Sequence, residues 1–132
     1  MKKITNKLVK FLQLQNLTIA FAESMSCGLV THQLNTVKGT SDVLKGSVIC
    51  YSEDVKTGVL KVPKSLIKKH TAESQQVTDS LAKNLHKIIY ADVCAAITGL
   101  AAPGGSECAE KPVATVFYSV FFDDKLQVQN KL

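Results

Sequence analysis

Apolar residues recur along this chain with two different periods, and the switches between the periods divide it into elements. Residues 3–15 put Ile4, Leu8, Phe11 and Leu12 on one helical face, which predicts an opening amphipathic helix. Leu17 to Ala22 then reads as a buried strand, and Leu29, Val30, Leu34 and Val37 return to helical spacing across Ser26 to Val37. Gly39 follows as the residue expected just beyond a helix end. Gly46 to Tyr51 predicts a second strand, and Ser52 with Glu53 and Asp54 has the form of a cap and acidic first turn for a short helix reaching Leu60. Val62-Pro63 interrupts, and Ser65 to His70 suits another short turn of helix. Ser74 caps a longer helix whose stripe is Val77, Leu81, Leu85 and Ile88. Asp92 to Thr98 is a third strand, Gly99 to Pro112 a glycine- and proline-rich loop, and Val113 to Phe122 a fourth strand. Asp123-Asp124 turns the chain into a final strand from Leu126 to about Gln129.

Helices alternating with apolar strands predict an α/β fold, a three-layer α/β/α sandwich. Its sheet is mixed and mostly parallel, with a C-terminal antiparallel hairpin. No repeat or linker divides residues 1–132, so one domain is expected. The 45% hydrophobic and 20% charged content argues against disorder. No apolar run is long enough to span a bilayer, and the basic start, Met1 to Lys7, leads into amphipathic sequence rather than a secretory signal. A cytoplasmic protein with no membrane partner is expected.

The net charge of +5 comes from sixteen lysines and no arginine. The lysines are scattered and lack interleaved aromatics, so the expectation is no nucleic-acid partner. A bound phosphate would fall to backbone N–H groups, hydroxyls or lysine. Cys27, Cys50, Cys94 and Cys108 form no Cys-x-x-Cys pair and no metal-like spacing with the three histidines. No metal, cofactor or disulfide is expected; Cys50 and Cys94 read as small core residues inside strands.

Ligands of such sheets bind at the carboxyl ends of parallel strands, and three polar clusters fall there. They are Glu23-Ser24-Met25-Ser26-Cys27-Gly28, Tyr51-Ser52-Glu53-Asp54-Val55-Lys56, and Thr98-Gly99-Leu100-Ala101-Ala102-Pro103-Gly104-Gly105. Ser24 is a hydroxyl at a tight turn, a nucleophile once a base takes its proton. Lys56 lies one turn into a helix that starts at the same edge, where the helix's positive end and burial would lower its pKa enough for that task. Tyr51 can relay a proton to a leaving group, and N–H groups around Ser26 to Gly28 or near Gly99 can hold an oxyanion. The set describes a Ser–Lys–Tyr amide or ester hydrolase that works without metal.

Plainer roles compete at each position. Ser24 or Ser26 can simply cap the next helix, Lys56 can be a solvated lysine, Tyr51 a strand-end aromatic, and the glycines turn formers. Glu23 can orient Lys56, bind ribose hydroxyls or cap a helix. Cys27, near a helix start, has the setting of a low-pKa thiol, though no histidine lies near it in sequence.

These residues resemble the CinA C-terminal domain family, also called the nicotinamide-nucleotide amidase domain. Ala22-Glu23-Ser24 followed by Ser26-x-Gly28 is similar to the family's Ala-Glu-Ser-Cys-Thr-Gly-Gly turn, and Tyr51-Ser52-x-x-x-Lys56 to its Tyr-Ser-Asn-x-x-Lys element. Thr98 to Gly105 and Glu110-Lys111-Pro112-Val113 resemble its glycine-loop and Glu-Lys-Pro-Val-Gly signatures. The resemblance implies hydrolysis of the carboxamide of nicotinamide mononucleotide, with Ser24 as nucleophile, Lys56 as base and Tyr51 as third catalytic member. It implies substrate contacts from Glu23, Ser26, Cys27, Gly28, Thr98, Gly99, Gly104 and Gly105, a small-molecule nucleotide as partner, and association into a homodimer.

Against the family pattern, Cys27 replaces a glycine, Ser26 a threonine and Glu53 an asparagine, while Ala102 and Ala114 replace glycines. The resemblance also implies that the family continues past the position of Leu132, through an arginine-bearing turn and a last helix that residues 1–132 are expected to lack. Two further readings therefore stand beside the amidase: a non-catalytic relative that keeps the fold or binds a nucleotide, and a thiol enzyme or redox sensor built on Cys27.

Overall fold

The strand beginning at Ile19 has no polar face. Ile19, Ala20, Phe21 and Ala22 are all buried, as is the terminal Glu23, which is what a strand covered on both sides of a sheet requires. A computed structural model describing residues 2–132 puts this strand, β1 (Ile19–Glu23), at the heart of a five-stranded sheet. The order is β2-β1-β3-β4-β5, with β2 (Leu44–Ile49) and β3 (Val93–Gly99) parallel to β1 on either side. β4 (Val116–Phe122) and β5 (Lys125–Lys131) continue it antiparallel, making the expected terminal hairpin.

Helices cover both faces. α1 (Lys2–Gln15) and α2 (Leu29–Asn35) lie on one side, where Val9, Leu12 and Leu34 pack with Ile19, Phe21 and Val43. α3 (Glu53–Gly58), α4 (Lys64–His70) and α5 (Gln75–Ile88) lie on the other. There Leu60, Val77, Leu81 and Leu85 pack on Ala20, Ala22, Cys94 and Ala96. The small strand residues let α5 approach the sheet closely. The fold is α/β, as the alternation predicts, and none of the described helices is long and apolar enough to cross a membrane.

The boundaries differ from the periodicity in instructive ways. α2 begins at Leu29, not Ser26, because residues 24–28 form the turn that builds the site. β2 ends at Ile49, so Cys50 and Tyr51 lie past the strand, although Cys50 remains fully buried. β4 starts at Val116 rather than Val113, since Ala114 adopts φ 76 and Pro112 offers no N–H to a ladder. β5 runs to Lys131, two residues beyond Gln129. Ile88 closes the α5 stripe in sequence but stands 46% exposed, at the last residue of the helix.

Candidate active site

Glu23 organises the turn after β1. Its Oε2 accepts from Ser26 Oγ (2.7 Å), Gly28 N (3.0 Å) and Val30 N (3.1 Å). Its Oε1 accepts from Thr31 N (2.8 Å) and Thr31 Oγ1 (2.5 Å). Burial by itself would raise this carboxyl's pKa. The Thr31 and Ser26 hydroxyls and the Thr31 and Val30 N–H groups outweigh burial and hold it below its ordinary value. The N-cap position of α2 is Gly28, left-handed at φ 95 and without a side chain to cap with, so the carboxylate at the strand end serves instead. Of the roles open to Glu23, helix capping is the one the structure gives it, and neither Ser24 nor Ser26 caps α2.

That arrangement releases the Ser24 hydroxyl. Ser24 N donates to Ile97 O (3.0 Å) and Ser24 O accepts from Cys27 N (3.1 Å), so the peptide is tied to β3 and to its own turn. The N–H groups of Met25 and Ser26, next along the chain, have no protein acceptor among the described residues. Those of Cys27 and Gly28 are engaged, by Ser24 O and Glu23. The N–H groups of this turn without a protein acceptor are thus those of Met25 and Ser26, one step earlier than the sequence pattern points.

Lys56 reaches the same hydroxyl from α3, which Ser52 starts by accepting from Val55 N (3.3 Å). Lys56 is 1% exposed. Its Nζ lies 2.9 Å from Ser24 Oγ, 2.6 Å from Cys50 O and 3.0 Å from Tyr51 O. Burial pulls its pKa below the ordinary lysine value, and nearby Cys50, Glu73 and Glu53 oppose the shift without reversing it. A neutral amine has two N–H bonds and one lone pair. In that form the N–H bonds would serve the two backbone carbonyls and leave the lone pair for the Ser24 proton; as an ammonium, Nζ donates to all three oxygens.

A cavity of about 270 Å³ opens over Ser24. Met25, Tyr51, Glu73 and the loop from Gly99 to Gly105 complete its lining. The Tyr51 ring is 66% exposed, while its carbonyl holds Lys56. Gly99 is required for close approach: a Cβ there would stand 2.7 Å from Thr115 O and 3.3 Å from Met25 Cγ. A larger cavity of about 700 Å³ adjoins this one and shares Glu73, Gly104 and Gly105 with it; its hydroxyls are those of Thr57, Thr71 and Ser106. The Ser24 hydroxyl, in reach of Lys56, opens into the smaller chamber.

The structure brings Ser24, Lys56, Tyr51, Gly99, Gly104 and Gly105 together as the strand-end pattern predicts. Glu23, Ser26, Gly28 and Thr98 are not in the lining; the Thr98 hydroxyl is buried against Thr78 Oγ1 at 2.8 Å. Cys27 is exposed at φ 52 and lies outside the lining, so its side chain does not intrude on the cavity. Glu73 is the residue that sequence reading missed. It lies between two helices, away from every strand end, and only the packing of α5 brings it to the site.

The family model described as the CinA C-terminal domain matches residues 1–132. A CinA-like protein of Prochlorococcus marinus is 39% identical over 113 residues, 86% of this chain and 26% of that protein. A putative competence-damage inducible protein of Bacillus mycoides is 39% identical over 119 residues, 90% of this chain and 28% of that one. The chain thus spans between a quarter and three-tenths of the curated relatives it matches. Among solved structures, the competence damage-inducible protein A from Klebsiella pneumoniae superposes with a TM-score of 0.93 at 22% identity, covering 99% of this chain and 80% of that one. The competence/damage inducible protein from Agrobacterium tumefaciens gives 0.86 at 27% identity, covering 99% and 76%.

Proposed function

The chain belongs to the CinA C-terminal domain family, and from that premise we propose that it hydrolyses the carboxamide of nicotinamide mononucleotide to nicotinate mononucleotide and ammonia. The observation that carries this reading is the Lys56 Nζ to Ser24 Oγ contact of 2.9 Å, with the other two Nζ partners both carbonyl oxygens. In the proposed reaction Ser24 Oγ attacks the carboxamide carbon as its proton passes to Lys56. The oxyanion accepts hydrogen bonds from Met25 N–H and Ser26 N–H. The C–N bond then breaks, the nitrogen takes the proton held by Lys56, directly or relayed through the Tyr51 hydroxyl, which Lys56 reprotonates, and ammonia leaves an ester on Ser24. Water attacks the ester with Lys56 again taking the proton, and the Ser24 oxygen leaves with that proton restored. Every proton the scheme moves is accounted for by these residues and the water.

Ammonia release from nicotinamide mononucleotide by the purified chain tests the proposal. Ser24→Ala and Lys56→Ala are each expected to lower kcat/KM by about 10³-fold or more. Unchanged turnover in both variants overturns the roles given to these residues. No release by the wild type, with the nucleotide still raising the melting temperature, favours the non-catalytic binder instead. Cys27→Ser is expected to leave the rate within about twofold, because the thiol lies outside the cavity; loss of activity would move the chemistry to the thiol.

A further inference from the structure

The Glu110-Lys111-Pro112-Val113 motif has no part in the chemistry above, yet it reaches the site. Residues 108–111 fold into a tight turn in which Cys108 N donates to Lys111 O (3.0 Å) and Lys111 N to Cys108 O (3.1 Å). The turn sends the half-buried Lys111 side chain back toward the α4–α5 connection. There its Nζ donates to Thr71 Oγ1 (2.6 Å), Glu73 O (2.9 Å) and Ser106 Oγ (2.8 Å). Three donors meet three oxygens, a geometry that suits an ammonium and not the planar fork of arginine.

Ser106 extends the link by donating to Glu73 Oε2 at 2.6 Å. Glu73 is therefore held twice, at its carbonyl by Lys111 and at its carboxylate through Ser106. Together with Gly104 and Gly105 it forms the partition shared by the two cavities. Thr71, the third anchor, has φ 70 and ψ 161. That region belongs essentially to glycine, and a β-branched residue stays there only when its surroundings over-determine it. Lys111 supplies one such constraint.

We infer that Lys111 is a positioning residue that pins the Gly99–Ser106 loop to Glu73 and so shapes the chamber that retains substrate, without acting on the Ser24–Lys56 pair. The retention half of this inference rests on the amidase reading; the pinning of the loop does not.

Three measurements on the full chain separate the possibilities. Lys111→Met keeps the aliphatic stem and removes the donors. It is expected to raise KM for nicotinamide mononucleotide about fivefold or more with kcat within about twofold. Backbone amides of residues 99–107 are expected to exchange hydrogen about tenfold faster. Labelling of Ser24 by a small fluorophosphonate is expected to keep its rate within about twofold, because the dyad is untouched. Ser106→Ala, which cuts the same link on the loop side, should give the same pattern at smaller amplitude and serves if Lys111→Met does not fold. Unchanged KM and unchanged exchange overturn the inference. So does a joint collapse of kcat and labelling, which would make Lys111 a support of the whole fold. Absence of wild-type ammonia release, with exchange and labelling behaving as expected, removes the amidase reading and leaves the pinned loop standing.

Discussion

Lys56 shows how one residue's environment lowers a lysine's pKa. Its stem is enclosed by the core, its Nζ meets two carbonyls and a hydroxyl, and burial favours the neutral form. The same burial is a stability statement. With its folded pKa lowered from 10.5, Lys56 binds more protons in the unfolded chain than in the folded one between those two values. Stability should therefore rise with pH through that window, and the cost of burial is complete below the folded pKa. Lys56→Met removes the titrating group, so the stability difference between variant and wild type should narrow as pH climbs toward 10.5. Urea denaturation of both proteins from pH 7 upward measures it. Activity should fall as pH drops through the same folded pKa, since the proposed base is then protonated. Ala114, held at φ 76, carries strain of a simpler kind. Ala114→Gly is expected to add about 1 kcal/mol, read as a shift in denaturation midpoint at unchanged slope.

Among elements, α2 is the least self-sufficient: seven residues, no capping side chain of its own, and a carboxylate borrowed from β1. Glu23→Gln keeps the shape but turns an NH₂ group toward N–H and O–H donors. A loss of about 2–3 kcal/mol is expected, measured by thermal or denaturant unfolding. The β4–β5 turn offers the opposite opportunity. Asp123 (φ 52) and Asp124 (φ 56) both occupy left-handed backbone, as a two-residue hairpin of the mirror-image type requires. Replacing them with Asn-Gly should stabilise the hairpin by about 0.5–1 kcal/mol in the same assay. These two turns also mark how far the sequence could be read. Strand ends carrying hydroxyl, lysine and glycine were legible, because parallel strands joined by helices must place those ends on one edge. The start of α2 was not, since its cap arrives from Glu23 rather than from the residue before the helix. Glu73 was invisible, and Lys111 legible only as part of a signature, for a related reason: each acquires its place through partners more than thirty residues away.

At the level of the whole molecule, the strand order locates the cavity. From β1 the chain moves outward to β2, then crosses back so that β3 lies on the other side of β1. The crevice between the carboxyl ends of β1 and β3 is the point where the winding reverses, and such points receive ligands in open α/β sheets. Ser24 follows β1 and the Gly99 loop follows β3, so both walls of the chamber rise from that reversal. A ligand bound there clamps both halves of the winding. Nicotinate mononucleotide at about a hundredfold over its Kd should stabilise the fold by about 2.7 kcal/mol, and Ser24→Ala should retain most of that shift because binding does not need the nucleophile. Loss of the shift in that variant would mean that the hydroxyl holds the ligand rather than reacting with it.

The exposed, left-handed Cys27 has a use that its sequence position alone does not reveal. Its thiol faces solvent three residues from Ser24, whereas Cys50 and Cys94 are sealed in the core, where burial pushes the Cys94 thiol to about 11 and raises that of Cys50. With Cys108 replaced by serine, a maleimide fluorophore would attach at Cys27 alone. The dye would ride on the peptide that carries the nucleophile while staying out of the chamber. Arrival of a nucleotide would then be visible as a change in emission, in real time and without any turnover.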